Sequence, residues 1–128
     1  METALQTCRV LVVDDSPTSL SYVSKILEES GFEVMQTQDG ESAIEIAENE
    51  KLNVLLLDII LPKKNGFQVC RELKSNALTS DLKIILLSSK SQETDRFWGQ
   101  RQGADAYLTK PVDPGELVSI VRAVARGS

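Results

Sequence analysis

The sequence predicts a doubly wound α/β fold, in which helices cover both faces of a parallel β-sheet. Three short apolar runs, at residues 10–13, 54–57 and 84–87, are typical of strands that are buried on both faces. Segments with helical periodicity alternate with such strands along the chain. The chain has 128 residues, of which 41% are hydrophobic and 26% are charged, and this composition suits one compact domain with a single core.

The predicted elements follow one another in a regular order. Strands are predicted at residues 9–13, 32–37, 54–57, 83–87 and 106–109. Helices are predicted at about residues 17–30, 40–50, 66–76, 92–102 and 114–126. We therefore expect a flavodoxin-like sheet of five parallel strands in the order 2-1-3-4-5, with five helices. The second strand is polar at both ends, which places it at an edge of the sheet.

Local signals mark where the helices begin and end. Small polar residues that can act as N-caps precede three of them: Ser16, Asp39 and Asp113. Glu116 stands three residues after the last of these caps, as in a capping box. Gly31 is predicted to end the first helix. Gly66, before the third helix, is expected to hold a backbone conformation that a side chain would disfavour.

Composition and charge exclude several classes of protein. The net charge of −5 argues against a general nucleic-acid binder, because phosphate contacts need a basic face. No apolar run approaches the roughly 20 residues of a membrane span, and the polar start does not fit a signal peptide. Cys8 and Cys70 are expected to be small buried hydrophobes in a reducing cytosol. We expect a cytoplasmic chain with a tail at residues 1–8, one domain at residues 9–126 and no output domain.

The residues that carry chemistry come directly after the apolar strands. Asp14 and Asp15 follow the first strand, Asp58 the third, Ser88 the fourth and Lys110 the fifth. Parallel strands end at the same edge of a sheet, where open α/β sheets bind ligands, so these side chains should converge there. An aspartate after a strand is often only a cap or a turn residue. The whole set at one edge favours a binding site.

Three carboxylates in a chain without histidine predict a site for a hard cation, either magnesium or manganese. The cation and Lys110 would balance the acids and favour an incoming phosphoryl group. Ser88 can donate a hydrogen bond to that group, and Asp58 can act as a nucleophile that forms an acyl phosphate. The residues alone leave two interpretations open, a magnesium-dependent phosphoryl acceptor and a phosphate-binding site.

Two enzyme classes on related folds fit the sequence less well. A flavodoxin-type FMN site needs a loop rich in Ser, Thr and Gly after the first strand, whereas residues 14–17 are Asp-Asp-Ser-Pro and would repel phosphate without a metal. A haloacid-dehalogenase-type phosphatase needs an aspartate nucleophile on the first strand with a second acid two residues later. Residues 14–16 lack that spacing. We therefore do not expect an enzyme of either class.

The motifs that remain are Asp14-Asp15, Asp58 with Pro62 and Gly66, Ser88, and Tyr107 with Lys110-Pro111. Together and in this order they resemble the receiver domain of two-component response regulators. The expected lack of an output domain resembles single-domain receivers of the chemotaxis type. Residues 93–99, 101–104 and 107–112 resemble more closely the receivers of type IV pilus (twitching or phototactic) motility systems. The resemblance implies a signalling protein that accepts a phosphoryl group and loses it again, rather than an enzyme.

The resemblance also implies roles for the acids and the lysine. Asp58 accepts the phosphoryl group from the phosphohistidine of a histidine kinase or of a histidine phosphotransfer domain. Asp15, Asp58 and the backbone carbonyl of Ile60 bind Mg²⁺ directly, and Asp14 acts largely through water. Lys110 contacts the phosphoryl group. The alternative role is a phosphorelay intermediate or phosphate sink without an output partner of its own.

In the implied switch, Ser88 moves toward the phosphoryl group and Tyr107 changes rotamer behind it. Ser89 is a rival for the first role, and the family spacing favours Ser88. The surface that then changes consists of the fourth predicted helix, the fifth strand and the last helix, with Arg96, Gln100 and Tyr107 as candidate partner contacts. We expect a downstream protein partner, no nucleic acid and no membrane insertion.

Overall fold

The sheet of the predicted order is present. A computed structural model of the chain describes residues 8–89 and 100–126. Its strands are β1 (Arg9–Val13), β2 (Glu33–Thr37), β3 (Val54–Asp58), β4 (Lys83–Ser88) and β5 (Ala106–Thr109). They form one sheet in the order β2-β1-β3-β4-β5, and every pair of neighbours is parallel. The edge position predicted for β2 is confirmed.

The part of the chain that the structure describes has four helices, one fewer than expected. They are α1 (Pro17–Glu29), α2 (Gly40–Asn49), α3 (Gly66–Ser75) and α4 (Pro114–Ala125). The helix predicted at residues 92–102 falls mostly outside the described residues, where only Gln100 and Arg101 at its end are seen to be helical. None of the helices in the described ranges is long and apolar enough to cross a bilayer.

The predicted N-caps accept the expected hydrogen bonds, but within the described residues Glu116 does not return the bond that a capping box with Asp113 requires. The side chains of Ser16, Asp39 and Asp113 each accept a bond from the backbone amide three residues later, at 3.3, 2.8 and 2.9 Å. A capping box with bonds in both directions occurs at α3, between Asn65 and Gln68, where the sequence analysis did not predict one. Each cap satisfies an amide that the helix leaves without a partner.

The prediction for Gly66 was wrong in its reason. Gly31 ends α1 with φ of 95°, as expected, but Gly66 does not have a positive φ. A Cβ on Gly66 would lie 2.5 Å from the carbonyl oxygen of Asp58 and 2.8 Å from the Cα of Ile59. Its requirement is therefore a close approach of two backbones, which keeps the loop after β3 packed against the start of α3.

Two hydrophobic layers hold the sheet between the helices. Val10 and Val12 of β1 pack with α1 and α4 on one face, and Leu11 and Val13 pack with α2 and α3 on the other. This alternation explains why residues 10–13 of β1 are all apolar, since both faces of a central parallel strand are buried. Cys70 is buried and Cys8 half-buried, and both are free thiols.

Candidate functional site

The register of the sheet brings the predicted residues to one edge. Val13 pairs with Leu57, and Ser88 pairs with Thr109. The next residues along the chain are Asp14, directly after β1, and Asp58, the last residue of β3, so these two acids lie side by side. Lys110 comes directly after Thr109 and therefore lies close to Ser88 at the end of β4. The backbone amide of Lys110 donates to the carbonyl of Ser88 at 2.7 Å, which extends the pairing of β4 and β5 by one residue.

Lys110 bridges the two buried acids of the site. Its Nζ lies 2.7 Å from Oδ2 of Asp14 and 2.7 Å from Oδ2 of Asp58. The side chains of Asp14 and Asp58 are only 1% and 12% exposed, and that of Lys110 is 22% exposed. Charge-assisted bonds of this length between buried groups are strong, so one ammonium fixes the positions of two carboxylates.

Backbone amides hold the other oxygen of each carboxylate. The amide of Ser16 donates to Oδ1 of Asp14 at 2.9 Å, and the amide of Ile60 donates to Oδ1 of Asp58 at 3.0 Å. Both bonds run from a residue two positions later, as in an Asx turn. Sequence reasoning missed these amides, although the two-residue spacing after each aspartate was a signal that could have revealed them. Each acid is thus oriented at both oxygens.

Burial and pairing shift the pKa values of the three groups in different directions. Burial raises the pKa of Asp14, but bonds from Lys110 and Ser16 outweigh it, and the pKa lies below its ordinary value. Burial of Asp58 outweighs the bonds from Lys110 and Ile60, so its pKa is raised. Burial lowers the pKa of Lys110, but its two carboxylate partners raise it by more. Lys110 therefore stays protonated, and Asp58 holds a proton more readily than Asp14 does.

The acidic cluster fits a hard divalent cation. Asp14, Asp15 and Asp58 each offer a carboxylate oxygen, and these three oxygens lie within 4.8 Å of one another. Asp15 is exposed, so a cation could reach the cluster from solvent. Oxygen ligands from a few carboxylates, completed by water, are what Mg²⁺ prefers. The side chain of Ile60 is 61% exposed close to this cluster.

Comparison with known proteins identifies the family. Residues 10–122 match the family model described as the response regulator receiver domain. Over 119 residues the chain is 44% identical to PilH of Pseudomonas aeruginosa, a match that covers 93% of this chain and 98% of PilH. The chain belongs to the response regulator receiver domain family. As a receiver, it is a signalling module of a two-component system.

Other relatives agree with this assignment. The receiver domain of sensor histidine kinase PA1611 from P. aeruginosa superposes with a TM-score of 0.88 at 28% identity, over 96% of this chain and 100% of that one. That structure has a magnesium ion coordinated in its active site cleft. The chain also spans about half of longer relatives such as the transcriptional regulatory protein PhoP of Bacillus subtilis, with 39% identity over 94% of this chain and 49% of PhoP.

The structure places some of the predicted switch residues of this receiver. Ser88 is the last residue of β4 and is 3% exposed, whereas Ser89 is exposed. Tyr107 is half-buried and packs against the layer of α2 and α3. Gln100 is exposed, and Arg96 lies outside the described residues. The burial of Ser88 at the strand end favours it over Ser89 for a role within the site.

Proposed function

We propose that Asp58 is the phosphoryl acceptor of this receiver, with Lys110 and Ser88 as the residues that contact the transferred group. The observation that carries the proposal is the ammonium of Lys110, bonded at 2.7 Å to both Asp14 and Asp58. The bond to Asp58 places a positive charge beside the carboxylate that would receive the negatively charged phosphoryl group. Ser88 ends the adjacent strand and carries a hydroxyl that can donate to a phosphoryl oxygen.

The proposed reaction is transfer from a phosphohistidine of a histidine kinase or a histidine phosphotransfer domain. A carboxylate oxygen of Asp58 forms a bond to phosphorus while the phosphorus–nitrogen bond breaks, and the imidazole leaves with that electron pair. The backbone amide of Ile60 holds the carboxylate in place during attack. Lys110 gains phosphoryl oxygens as partners and loses its bond to the carboxylate oxygen that has become the bridging oxygen of the acyl phosphate.

Mg²⁺ would be held by Asp15, Asp58 and the backbone carbonyl of Ile60, with Asp14 acting through water. When bound, it would supply positive charge that offsets the carboxylates and the incoming phosphoryl group. The spacing of the three carboxylate oxygens supports this assignment. Mn²⁺ has similar ligand preferences and should substitute for it.

The output of the phosphorylated receiver is proposed to be a change in the surface that contains Tyr107, Gln100 and Arg96. Phosphorylation would shift an existing equilibrium between two conformations, and a downstream protein would bind one of them. The similarity to PilH, together with the motifs at residues 93–99, 101–104 and 107–112, favours a motility pathway over other two-component pathways. A pull-down with and without phosphorylation tests for the downstream partner and distinguishes it from a phosphate sink.

Mass spectrometry of the intact protein tests the acceptor directly. Incubation with acetyl phosphate and Mg²⁺ should add one labile phosphoryl group to the wild type and none to Asp58→Asn. Asp81→Asn, which changes an exposed aspartate far from the site in the same way, should be phosphorylated like the wild type. Phosphorylation of Asp58→Asn at the wild-type rate would show that another residue is the acceptor.

A further inference from the structure

The loop at residues 59–65 joins β3 to α3 and carries one of the proposed metal ligands, the backbone carbonyl of Ile60. The amide of Ile60 donates to Oδ1 of Asp58 at 3.0 Å, which holds the start of the loop. The amide of Gly66 donates to the carbonyl of Ile59 at 2.7 Å, which closes the loop where α3 begins. The position of the whole loop therefore decides where the carbonyl of Ile60 lies.

The far side of this loop lies against the first residue of α2. Gly40 is buried there, and a Cβ added to it would overlap the carbonyl oxygen of Lys64. The same Cβ would lie 2.8 Å from Cγ2 of Val69 and 3.0 Å from the Cβ of Lys64. A packed backbone and a core methyl group have little free space to move into, because protein interiors are close-packed. Only glycine therefore lets α2, the loop and α3 approach this closely.

Lys64 has little freedom to give way on its own. Its ammonium donates to both carboxylate oxygens of Glu72 in α3, at 2.9 and 2.8 Å, and its amide donates to the carbonyl of Pro62 at 2.9 Å. Lys63 before it has φ of 70°, in the left-handed region that non-glycine residues rarely adopt outside turns. The loop thus ends in a tight turn that is tied to α3. A side chain at position 40 would move this turn together with the loop.

We propose that Gly40 is a positioning residue for the metal site, because its missing side chain lets the loop lie where the carbonyl of Ile60 is in place for Mg²⁺. The inference rests on the proposed function, in which this carbonyl is a ligand. The acceptor is held differently, since Asp58 is the last residue of β3 and bonds to Lys110 at 2.7 Å. Gly40→Ala should therefore disturb the metal site while it leaves the acceptor in place.

Calorimetric titration of the full chain with Mg²⁺ tests this role. Gly40→Ala should weaken Mg²⁺ binding by about tenfold, the lower end of the loss that follows when the support of a metal ligand is altered. Gly31→Ala is the matched control, because a φ of 95° strains alanine, although the added Cβ would meet no atom of the described chain within 4 Å beyond its neighbouring residues. It should keep its Mg²⁺ affinity within about twofold of the wild type. Circular dichroism should show that both variants melt at a lower temperature, so lost stability alone does not explain lost affinity.

Phosphorylation by acetyl phosphate gives a second readout on the same variants. The rate of Gly40→Ala should fall at limiting Mg²⁺ and return to the wild-type rate at saturating Mg²⁺, since only the metal affinity is altered. Unchanged Mg²⁺ affinity in Gly40→Ala would overturn the proposal, and so would an equal loss of affinity in Gly31→Ala. A rate that stays low at saturating Mg²⁺ would also overturn it, because the substitution would then act on the acceptor. If Asp15→Ala loses Mg²⁺ binding while Gly40→Ala keeps it, the proposed metal site stands and only this inference fails.

Hydrogen exchange of the wild type tests the same contact without a substitution, and it decides the matter if Gly40→Ala does not fold. Coupling between two sites is reciprocal, so Mg²⁺ should stabilise the contact between the loop and α2. The amides of Lys64 in the loop and Ala43 in the first turn of α2 should exchange at least about threefold more slowly with Mg²⁺. The amide of Leu117 in the first turn of α4 should not change. Equal exchange of Ala43 with and without Mg²⁺ would overturn the proposal.

Discussion

Lys110→Met would remove the only ammonium that contacts Asp14 and Asp58 in the described part of the chain. Both acids lie 2.7 Å from its Nζ and are almost fully buried. Breaking a buried ion pair by removing one partner costs about 3–5 kcal/mol. The amides of Ser16 and Ile60 still bind the carboxylates, and Lys110 is partly exposed. We therefore expect the lower end, a loss of about 3 kcal/mol in the free energy of unfolding at neutral pH without divalent cations.

The loss should depend on pH in a defined direction. Because the pKa of Lys110 is raised in the folded state, the stability that Lys110 contributes is fully present at pH values below its ordinary pKa of 10.5. This stability is lost as the pH rises through the higher pKa of the folded state. The lowered pKa of Asp14 gives stability that is present above 3.8 and is lost as pH falls through its folded value. Asp58 has a raised pKa, so its protonation in acid favours the folded state. The variant should therefore approach the wild type in stability as the carboxylates become protonated.

Urea unfolding followed by far-UV circular dichroism, in the presence of EDTA, measures the effect. Lys51→Met removes an exposed lysine without a side-chain ion pair in the described chain, and it should change the unfolding free energy by less than about 0.5 kcal/mol. Saturating Mg²⁺ should restore part of the loss, and so should Asp58→Asn in the Lys110→Met background. Equal stability of Lys110→Met and wild type in EDTA would refute the view that one lysine compensates two buried acids.

Three other changes test the remaining parts of the site. Asp15→Ala should weaken Mg²⁺ binding by about tenfold or more in calorimetry, and wild-type affinity would show that the acid pair is not the metal site. Ile60→Asn should increase the rate of phosphate loss about tenfold once the phosphodonor is removed, which corresponds to roughly 1.4 kcal/mol of barrier. The reason is that an amide can hold the attacking water that the exposed isoleucine excludes. An unchanged decay rate would contradict this. Gly66→Ala should lower the free energy of unfolding by about 1–3 kcal/mol in urea, since its Cβ would meet the carbonyl of Asp58, and a neutral effect would contradict the close packing described for this glycine.

The central strands β1, β3 and β4 were predictable because they are buried on both faces, so that their buried residues form uninterrupted apolar runs. β1 and β5 have the predicted limits. The third and fourth strands each extend one residue beyond the prediction, to Asp58 and Ser88. That extra residue matters, because it places both functional side chains on the sheet itself rather than in a loop. A side chain on a strand is held more rigidly than one on a loop.

The sequence predicted that the site residues converge at one edge of the sheet, but not which of them are in contact. Lys110 is separated by 96 residues from Asp14 and by 52 from Asp58, and only the register of the sheet decides that its ammonium reaches both. The close approach at Gly66 depends on the path of the loop after β3, which leaves no periodic pattern in the sequence. The helix at residues 92–102 and the partner contact at Arg96 remain predictions, because these residues lie wholly or mostly outside the described part.

Asp14 and Asp58 have similar sequence contexts but differ in how far they are buried. Asp14 comes directly after β1 and Asp58 is the last residue of β3. Both accept from an amide two residues later, and both bind Lys110 at the same distance. The side chain of Asp14 is 1% exposed, however, and that of Asp58 is 12% exposed. An attacking carboxylate must be reached by a phosphoryl group on another protein, and of these two acids Asp58 is the more exposed. This difference in exposure supports the proposal that Asp58 is the acceptor and Asp14 a supporting charge.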